Sequence, residues 1–220
     1  MKATNAITPR TAAIGGTAYG LARRQPAGPG PPGKQVSGND GSLPSRQGRL
    51  FKEGDMRILA IDPGTYKSAV LVYDTDRREI VKASIEDNEY VSMIVSQNQY
   101  KAERLAIEWI SSYGMAVGKE VFETCFWVGV FAESFSYSST DRITRADIKL
   151  RLCNSSRAKD TNVRQALMDR FDPTGRDGKG KPSVTGTKAH PGPLYGVSSH
   201  MWSALAVAVT WADNNAREAT

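Results

Sequence analysis

Two apolar runs that flank a Pro-Gly turn constrain the fold of this chain more than any other feature. The first run, at 58–61, is wholly apolar, which is typical of a strand covered on both faces. The second run, at 69–73, follows an Asp-Pro-Gly turn signature that begins at Asp62. We therefore predict strands at 57–61 and 68–73, with the Asp62 carboxylate held rigidly at the tip of their connection.

Hydrophobic periodicity along the rest of the chain predicts an α/β fold. Residues 80–85 alternate in polarity and should complete an antiparallel meander with the first two strands. Helices and strands then alternate, which implies a mixed sheet with helices on its faces. The other predicted elements are a helix at 89–98, a strand at 104–108, a helix at 113–135, a helix capped by Asp160, a long mobile loop at 173–193, and a closing helix at 200–213 capped by Ser198 or Ser199.

The predicted helices differ in what they should bury. At 113–135 the apolar residues recur close to a period of 3.6 and predict one buried stripe, made of Val117, Val121, Phe122, Cys125, Val128, Gly129 and Ala132. After Asp160 the predicted stripe is Val163, Ala166, Leu167 and Phe171. The closing helix is apolar on all sides at 205–209 and should be buried.

Residues 1–55 differ from the rest of the chain in composition. They carry eight Lys/Arg against three Asp/Glu, which is most of the net charge of +6, and show no apolar periodicity. Such a segment buries too little apolar surface to offset its chain entropy, so we predict a disordered tail. An organellar transit peptide is one alternative. Another is that translation starts at Met56, since codons for 52–54 can form a purine-rich ribosome-binding site and leave 1–55 untranslated.

Membrane insertion and disulfide chemistry have little support in the sequence. No apolar stretch approaches the roughly 20 residues that span a bilayer. The two cysteines, Cys125 and Cys153, form no CxxC pair. We expect a cytoplasmic protein with no membrane partner, in which both thiols are reduced and buried.

Three side chains that can bind hard cations lie at the ends of predicted strands or at the start of a predicted helix. Asp62 follows the first strand, Glu108 ends the fourth, and His200 opens the closing helix. Oxygen ligands select Mg²⁺ or Mn²⁺, and two such ions about 4 Å apart can activate a water and stabilise the leaving oxygen in phosphodiester hydrolysis. Each residue alone also has an ordinary structural explanation: Asp62 as part of a turn, Glu108 as a surface charge, and His200 as a residue at a helix start. Their combined order predicts a nuclease site.

The motifs resemble the RuvC-like Holliday-junction resolvases of the ribonuclease H-like superfamily, especially their bacteriophage members. ILAIDPGTYKSAVLVYD (58–74) is similar to the first strand pair of that family, and LAIE (105–108) to its second acidic motif. Residues 143–167 resemble its Lys-bearing strand and following helix, and HMWSALAVAVT (200–210) its closing helix. The resemblance covers essentially all of 56–213.

The resemblance implies a fold, a reaction and partners. The fold would be a ribonuclease H-like mixed five-stranded sheet flanked by helices at 56–213, with 214–220 as a tail. The activity would be a divalent-metal-dependent endonuclease that cuts branched DNA in recombination or repair, with Mg²⁺ or Mn²⁺ as cofactor. A homodimer would cut two strands symmetrically, in a bacterial or phage-infected cell.

The same resemblance implies a role for each candidate ligand. Asp62 would bridge two metal ions, Glu108 would complete one of them, and His200 would ligate the second or orient the attacking water. The family carries an acid three residues after the position of His200, where this chain has Ser203. Ser203 is the position-matched candidate for this metal ligand, although a hydroxyl brings no charge and is a poorer ligand than a carboxylate.

The missing acid leaves alternatives open. Asp213 cannot replace it, because ten residues of helix displace it by about 15 Å. Another acid, such as Asp147, could supply the ligand. Otherwise the site is weakened or lost, and the protein would be a non-catalytic junction-binding relative.

The segment from 145 to 188 is basic, with eleven Lys/Arg against five acids, whereas the rest of 56–213 is net negative. Such charge is expected where phosphates must approach carboxylates, although a solvated helix face is the simpler reading. Apart from Phe171, no aromatic residue is interleaved with these basic residues, which favours readout of backbone and shape. The predicted DNA-binding residues are Lys149, Arg151, Arg157, Lys159, Arg164, Lys179 and Lys181. The resemblance adds that Lys149 and Lys159 stand at the family's basic positions, where Lys149 would act in catalysis by steadying transition-state charge.

A kinase of the actin-like or sugar-kinase type is the remaining rival, because an Asp-x-Gly after a first strand also opens that fold. It requires a Gly-rich phosphate loop and a second acid-bearing repeat. The chain is too short for both.

Overall fold

A computed structural model describes residues 56–111, 114, 116–172 and 184–216. It contains a five-stranded sheet and five helices within those ranges. The strands are β1 (Arg57–Asp62), β2 (Lys67–Asp74), β3 (Glu79–Asp87), β4 (Arg104–Trp109) and β5 (Thr140–Thr144). The helices are α1 (Asn88–Ser96), α2 (Lys119–Ser134), α3 (Arg145–Cys153), α4 (Asp160–Phe171) and α5 (Met201–Asn215).

The sheet is mixed, with strand order β3-β2-β1-β4-β5. The first three strands form the predicted antiparallel meander, while β4 runs parallel to β1 and β5 runs parallel to β4. The predicted α/β architecture, a ribonuclease H-like five-stranded sheet flanked by helices, is confirmed. Because β1, β4 and β5 are parallel, their carboxyl ends meet at one edge of the sheet.

Both faces of β1 are buried, as its unbroken apolar run predicts. Ile58 and Ala60 belong to a core cluster that includes α5, whereas Leu59 and Ile61 pack with residues of α1 and α2 on the other face. The helices therefore form a layer on each side of the sheet. The apolar surface removed from water by these two layers is the main source of stability for such an architecture.

Helix α5 is buried along most of its length, as predicted, from Trp202 and then Ala204 to Trp211. The predicted serine cap is wrong: His200 precedes the first turn, and no side chain forms a cap hydrogen bond. The backbone conformation before the helix explains the difference, because Ser199 has a left-handed φ of 46° and His200 is already helical. The helix also extends to Asn215, two residues beyond the predicted end.

Helix α2 differs from its prediction in start and in buried face. It begins at Lys119, after an extended Gly118, and not at 113. Its buried residues are Thr124, Val128 and Phe131, whereas Val117 precedes the helix and Phe122, Cys125 and Gly129 are exposed. Apolar residues lie on two faces of this helix, so periodicity alone could not identify the face that packs on α1. The prediction of two buried thiols is also wrong, since Cys125 is exposed and Cys153 is half-buried.

The segment that resembles a Lys-bearing strand is mostly helical. The strand ends at Thr144, whose hydroxyl accepts from the backbone N–H of Asp147, while the Asp147 side chain accepts from the backbone N–H of Thr144. This capping box starts α3, so Lys149 lies on a helix. Asp160 is the first residue of α4 rather than its cap, and Val163 and Leu167 are buried as predicted.

Several predictions fall on other parts of the chain. The tail at 1–55, Lys179, Lys181, most of the loop at 173–193 and residues 217–220 lie outside the described residues. In the part of the chain that is described, no helix is long and apolar enough to cross a membrane.

Candidate active site

A closed ring of hydrogen bonds fixes the turn that follows Asp62. The N–H of Gly64 donates to Ser68 Oγ (3.2 Å), and the Ser68 hydroxyl donates to Asn88 Oδ1 (2.7 Å). Asn88 Nδ2 donates back to the carbonyl oxygen of Gly64 (2.9 Å). A Cβ at residue 64 would lie 2.3 Å from the carbonyl oxygen of Lys67, so only glycine fits. The buried Ser68 and Asn88, both overlooked in the sequence, hold the Asp62 turn in place.

Asp62, Glu108 and His200 meet at the carboxyl edge of the sheet. Ile61 and Ile107 are partners in the parallel pairing of β1 with β4, so the two acids that follow them stand side by side. Their side chains are only 14% and 15% exposed. His200, at the start of α5 and 74% exposed, places Nδ1 3.1 Å from Asp62 Oδ2. The structure thus brings His200 into contact with Asp62, beside Glu108.

Arg145 enters this cluster from the start of α3. Its Nη1 lies 3.4 Å from Glu108 Oε1 and donates to Ser203 Oγ at 3.3 Å. Its Nη2 lies 3.1 Å from Asp160 Oδ1. Lys149 Nζ lies 3.6 Å from the same Asp160 oxygen. A guanidinium therefore links the Glu108 carboxylate to a third acid, on α4.

The sequence reasoning missed both Arg145 and Asp160 as site residues. The sequence marks Arg145 only as the first residue of a basic segment and Asp160 only as a helix cap. Their place follows from the strand end at Thr144, which the sequence does not mark: β5 is parallel to β4, with Ile143 opposite Glu108, so the next residues must lie at the same sheet edge. Asp147, the acid proposed as a replacement ligand, is engaged in the α3 capping box.

Burial and neighbouring charges shift the acidity of the two central carboxyls. Burial, together with the charge of Asp62, raises the pKa of Glu108 to about 7, while Arg145 acts in the opposite direction. Burial also raises the pKa of Asp62, while His200 and Arg145 hold that pKa down. Two buried carboxylates on adjacent strands resist being ionised together, so the pair favours the binding of either a proton or a cation.

The donor chemistry of this pair fits a hard cation. No three His, Cys, Asp or Glu side chains within the described ranges are grouped closely enough to enclose a metal ion. However, Glu108 Oε2 is buried and has no hydrogen-bond partner among the described residues. A buried, unpaired carboxylate oxygen is costly unless it binds a proton or a cation. Asp62, Glu108 and the exposed imidazole of His200 are the residues that would hold such an ion.

The predicted DNA-contacting residues that the structure describes lie on α3, on α4 and in the connection between them. Arg157 and Lys159 are exposed in the connection between the two helices. Arg164 is exposed on α4 and stacks over the Trp202 ring, with its guanidinium carbon 4.5 Å from the ring centroid. Lys149 points toward the acidic cluster through Asp160.

Arg151 differs from these residues because it is engaged at the far end of α5. Its Nε lies 3.5 Å from Asp213 Oδ2, and its Nη2 donates to the Asp213 carbonyl oxygen. Arg170 Nη1 lies 2.7 Å from the same Asp213 carboxylate oxygen. Asp213 is therefore paired with two arginines, in agreement with the expectation that it cannot replace the acid absent at Ser203.

The fold and the site define a class of protein: an α/β domain whose mixed five-stranded sheet carries paired carboxylates on adjacent parallel strands. Neither protein-family models nor curated proteins show a match to the sequence. Among solved structures, RuvC of Thermus thermophilus is similar, with a TM-score of 0.54 and 16% identity over 74% of this chain and 97% of that one. T. thermophilus RuvC in complex with Holliday junction substrate is also similar, with a TM-score of 0.52 and 16% identity over 74% of this chain and 96% of that one. This chain has a RuvC-like fold.

Proposed function

We propose that this protein is a divalent-metal-dependent endonuclease that cuts branched DNA. The observation that carries the proposal is the pairing of Asp62 with Glu108 beside His200, at the carboxyl edge of a RuvC-like sheet. A structural neighbour of this chain is bound to a Holliday junction. Junction DNA is therefore the substrate class to test first.

The chemistry follows from the positions of the side chains. Mg²⁺ or Mn²⁺ held by Asp62 and Glu108 would supply Lewis acidity and a metal-bound water for phosphodiester hydrolysis. The exposed imidazole of His200 can bind the ion or accept a proton from an attacking water. Lys149 and Arg145 place positive charge next to the carboxylates, where the transition state gains negative charge.

The DNA would approach across the α3–α4 connection. Arg157, Lys159 and Arg164 are exposed there and can contact phosphates without reading base sequence. We expect Lys159→Ala and Arg164→Ala each to weaken junction binding and to reduce its dependence on salt concentration. A matched change on β3, the outer strand of the sheet farthest from β5, is Lys82→Ala, and it should leave junction binding unchanged. Equal effects of all three changes would contradict this DNA path.

The second partner in the proposal is a second copy of the chain, docked through the exposed face of α2. Phe122 and Phe126 are 63% and 60% exposed on that face. Gly129 follows them on the same helix, and a Cβ there would meet no described atom within 4 Å beyond its chain neighbours and the adjacent backbone of α2. An antiparallel two-fold pairing of α2 brings each Phe122 over the partner's open Gly129 position and sets Lys119 near Glu133. This self-complementarity favours a homodimer over an unrelated partner.

The dimer proposal is tested by molar mass in solution. Light scattering coupled to gel filtration should give twice the chain mass for the wild type and the chain mass for a Phe122→Ser, Phe126→Ser double variant. Val81→Ser, which removes an exposed apolar side chain from β3, should remain dimeric. A wild type that is monomeric at micromolar concentration, or a dimeric double variant, would rule out this interface.

Nuclease activity is tested with a labelled four-way DNA junction and the full chain in Mg²⁺ or Mn²⁺. Wild-type protein should cut the junction, chelation should abolish cutting, and Asp62→Asn should bind the junction but not cut it. Linear duplex of the same sequence serves as the substrate control. Cleavage that persists in Asp62→Asn would place the chemistry elsewhere or identify a contaminant.

A second candidate function is junction binding without cleavage. The observation that favours it is the guanidinium of Arg145, which bonds to Glu108 and Ser203 inside the carboxylate cluster. Tight junction binding by the wild type in chelator, with no cutting in either metal, would establish the binder and end the nuclease proposal.

A further inference from the structure

We propose that Arg145 is a built-in cation of the active site and that the site consequently binds one divalent ion, not two. The inference deepens the proposed function, on which it rests in treating that ion as the cofactor of cleavage. It concerns the chain's own residues and can be measured by metal binding without any DNA.

The position of Arg145 supports this role. The residue follows directly on β5, so its backbone is placed by the sheet itself. Its Nη1 approaches Glu108 Oε1 at 3.4 Å, and its Nη2 is anchored from the opposite side by Asp160 Oδ1 at 3.1 Å. Its side chain is only 27% exposed. The guanidinium is thus held within contact distance of a carboxylate that a second metal ion would need.

The charges around Arg145 leave capacity for one divalent ion. The acids of the cluster are Asp62, Glu108 and Asp160, and the bases in contact with them are Arg145 and Lys149. With the carboxyls ionised, and leaving the imidazole aside, these groups sum to one negative charge. One divalent ion changes the sum to one positive charge, whereas a second ion would bring it to three positive charges in a half-buried site. Repulsion between a fixed guanidinium and a second ion a few ångströms away disfavours that state.

Ser203 completes the arrangement. Its hydroxyl accepts a hydrogen bond from Arg145 Nη1 at 3.3 Å and contributes no charge. Glu108 Oε2, the other oxygen of the carboxylate that Arg145 contacts through Oε1, is buried and has no hydrogen-bond partner among the described residues. This oxygen remains for a metal ion, and Asp62, Glu108 and His200 are the residues that would hold a single ion.

The test is the stoichiometry of Mn²⁺ binding to the full chain, measured by electron paramagnetic resonance of free Mn²⁺ and by calorimetry. Wild type and Arg145→Lys should each bind one ion per chain. Arg145→Met combined with Ser203→Asp should bind two, because the guanidinium is gone and a carboxylate takes its place. Arg104→Met combined with Ser139→Asp is the matched control: that pair shares a 3.1 Å hydrogen bond at the other end of β4, and the control should bind one ion.

The outcomes separate this inference from the proposed function. Two ions in the wild type, none in the wild type, or one in a folded Arg145→Met, Ser203→Asp variant each overturn the inference. If the double variant is unfolded by circular dichroism, the wild-type and Arg145→Lys stoichiometries decide. One bound ion without junction cleavage would support the single-ion site and contradict the proposed nuclease function. Junction cleavage with two bound ions would support the nuclease function and contradict the single-ion site.

Discussion

Replacing Glu108 by glutamine tests the electrostatic description of the site through folding stability, without DNA or metal. The pKa of this carboxyl is raised from 4.5 to about 7 in the folded chain, first by burial and second by the charge of Asp62. The folded protein therefore holds a proton in the pH range between these two values, where the unfolded chain has released it. Glutamine keeps the shape and cannot titrate.

The sign follows from which state binds more protons. Between pH 4.5 and 7 the native state does, so the free energy of unfolding falls as the pH rises through this window. Each pH unit costs about 1.4 kcal/mol, so the loss of stability across the whole window is at most about 3.4 kcal/mol. Stability from this group is thus fully present at acid pH and lost above pH 7, where Glu108→Gln should be the more stable protein.

The assay is urea denaturation of the full chain at half-unit steps from pH 5 to 8, with chelator present. The difference in unfolding free energy between Glu108→Gln and wild type should grow with pH by about 2–3 kcal/mol. Glu89→Gln, an exposed acid in the first turn of α1, controls for loss of a negative charge and should show no such growth. Parallel curves for wild type and Glu108→Gln across the range would refute the buried, proton-retaining carboxyl.

Three further expectations concern the site and its support. Because protons compete with cations for Glu108, Mn²⁺ should raise the thermal midpoint more at pH 8 than at pH 6, and Asp62→Asn should lose most of this gain; equal gains at both pH values would contradict the competition. Asn88→Ala removes the donor to the Gly64 carbonyl oxygen and the acceptor of the buried Ser68 hydroxyl, so it should cost about 1–3 kcal/mol in urea denaturation, and a cost near zero would show that the turn does not depend on this ring. Leu205→Ala, at a fully buried position on α5, should cost about 2–5 kcal/mol, and a cost below about 1 kcal/mol would contradict the packing of that helix.

The strands were readable from sequence because each carries a pattern that few other structures produce. A wholly apolar run must be buried on both faces, and β1 is. Alternation at 80–85 matches the period of a strand, and those residues form part of β3. Helix α2 was harder, because apolar residues on two faces satisfy more than one packing arrangement. Phe122 and Phe126 remain exposed while Val128 and Phe131 enter the core.

The residues of the candidate site also differ in whether the sequence could predict them. Asp62 and Glu108 could be proposed because each ends an apolar run, and parallel strands bring such ends together. Arg145 could not, since its approach to Glu108 depends on where β5 ends and α3 begins. That boundary is set by the capping box of Thr144, in a segment that reads equally well as a continuing strand.

The sequence by itself determined the apolar elements, the acids at strand ends and the absence of a carboxylate at Ser203, because these are properties of single residues and short-range periodicity. Only the tertiary structure decided which charges meet. Arg145 reaches Ser203 across 58 positions of the chain, and His200 reaches Asp62 across 138. Ser68 and Asn88 close their ring across 20. Such contacts are created by strand order and helix packing, and local sequence does not encode them.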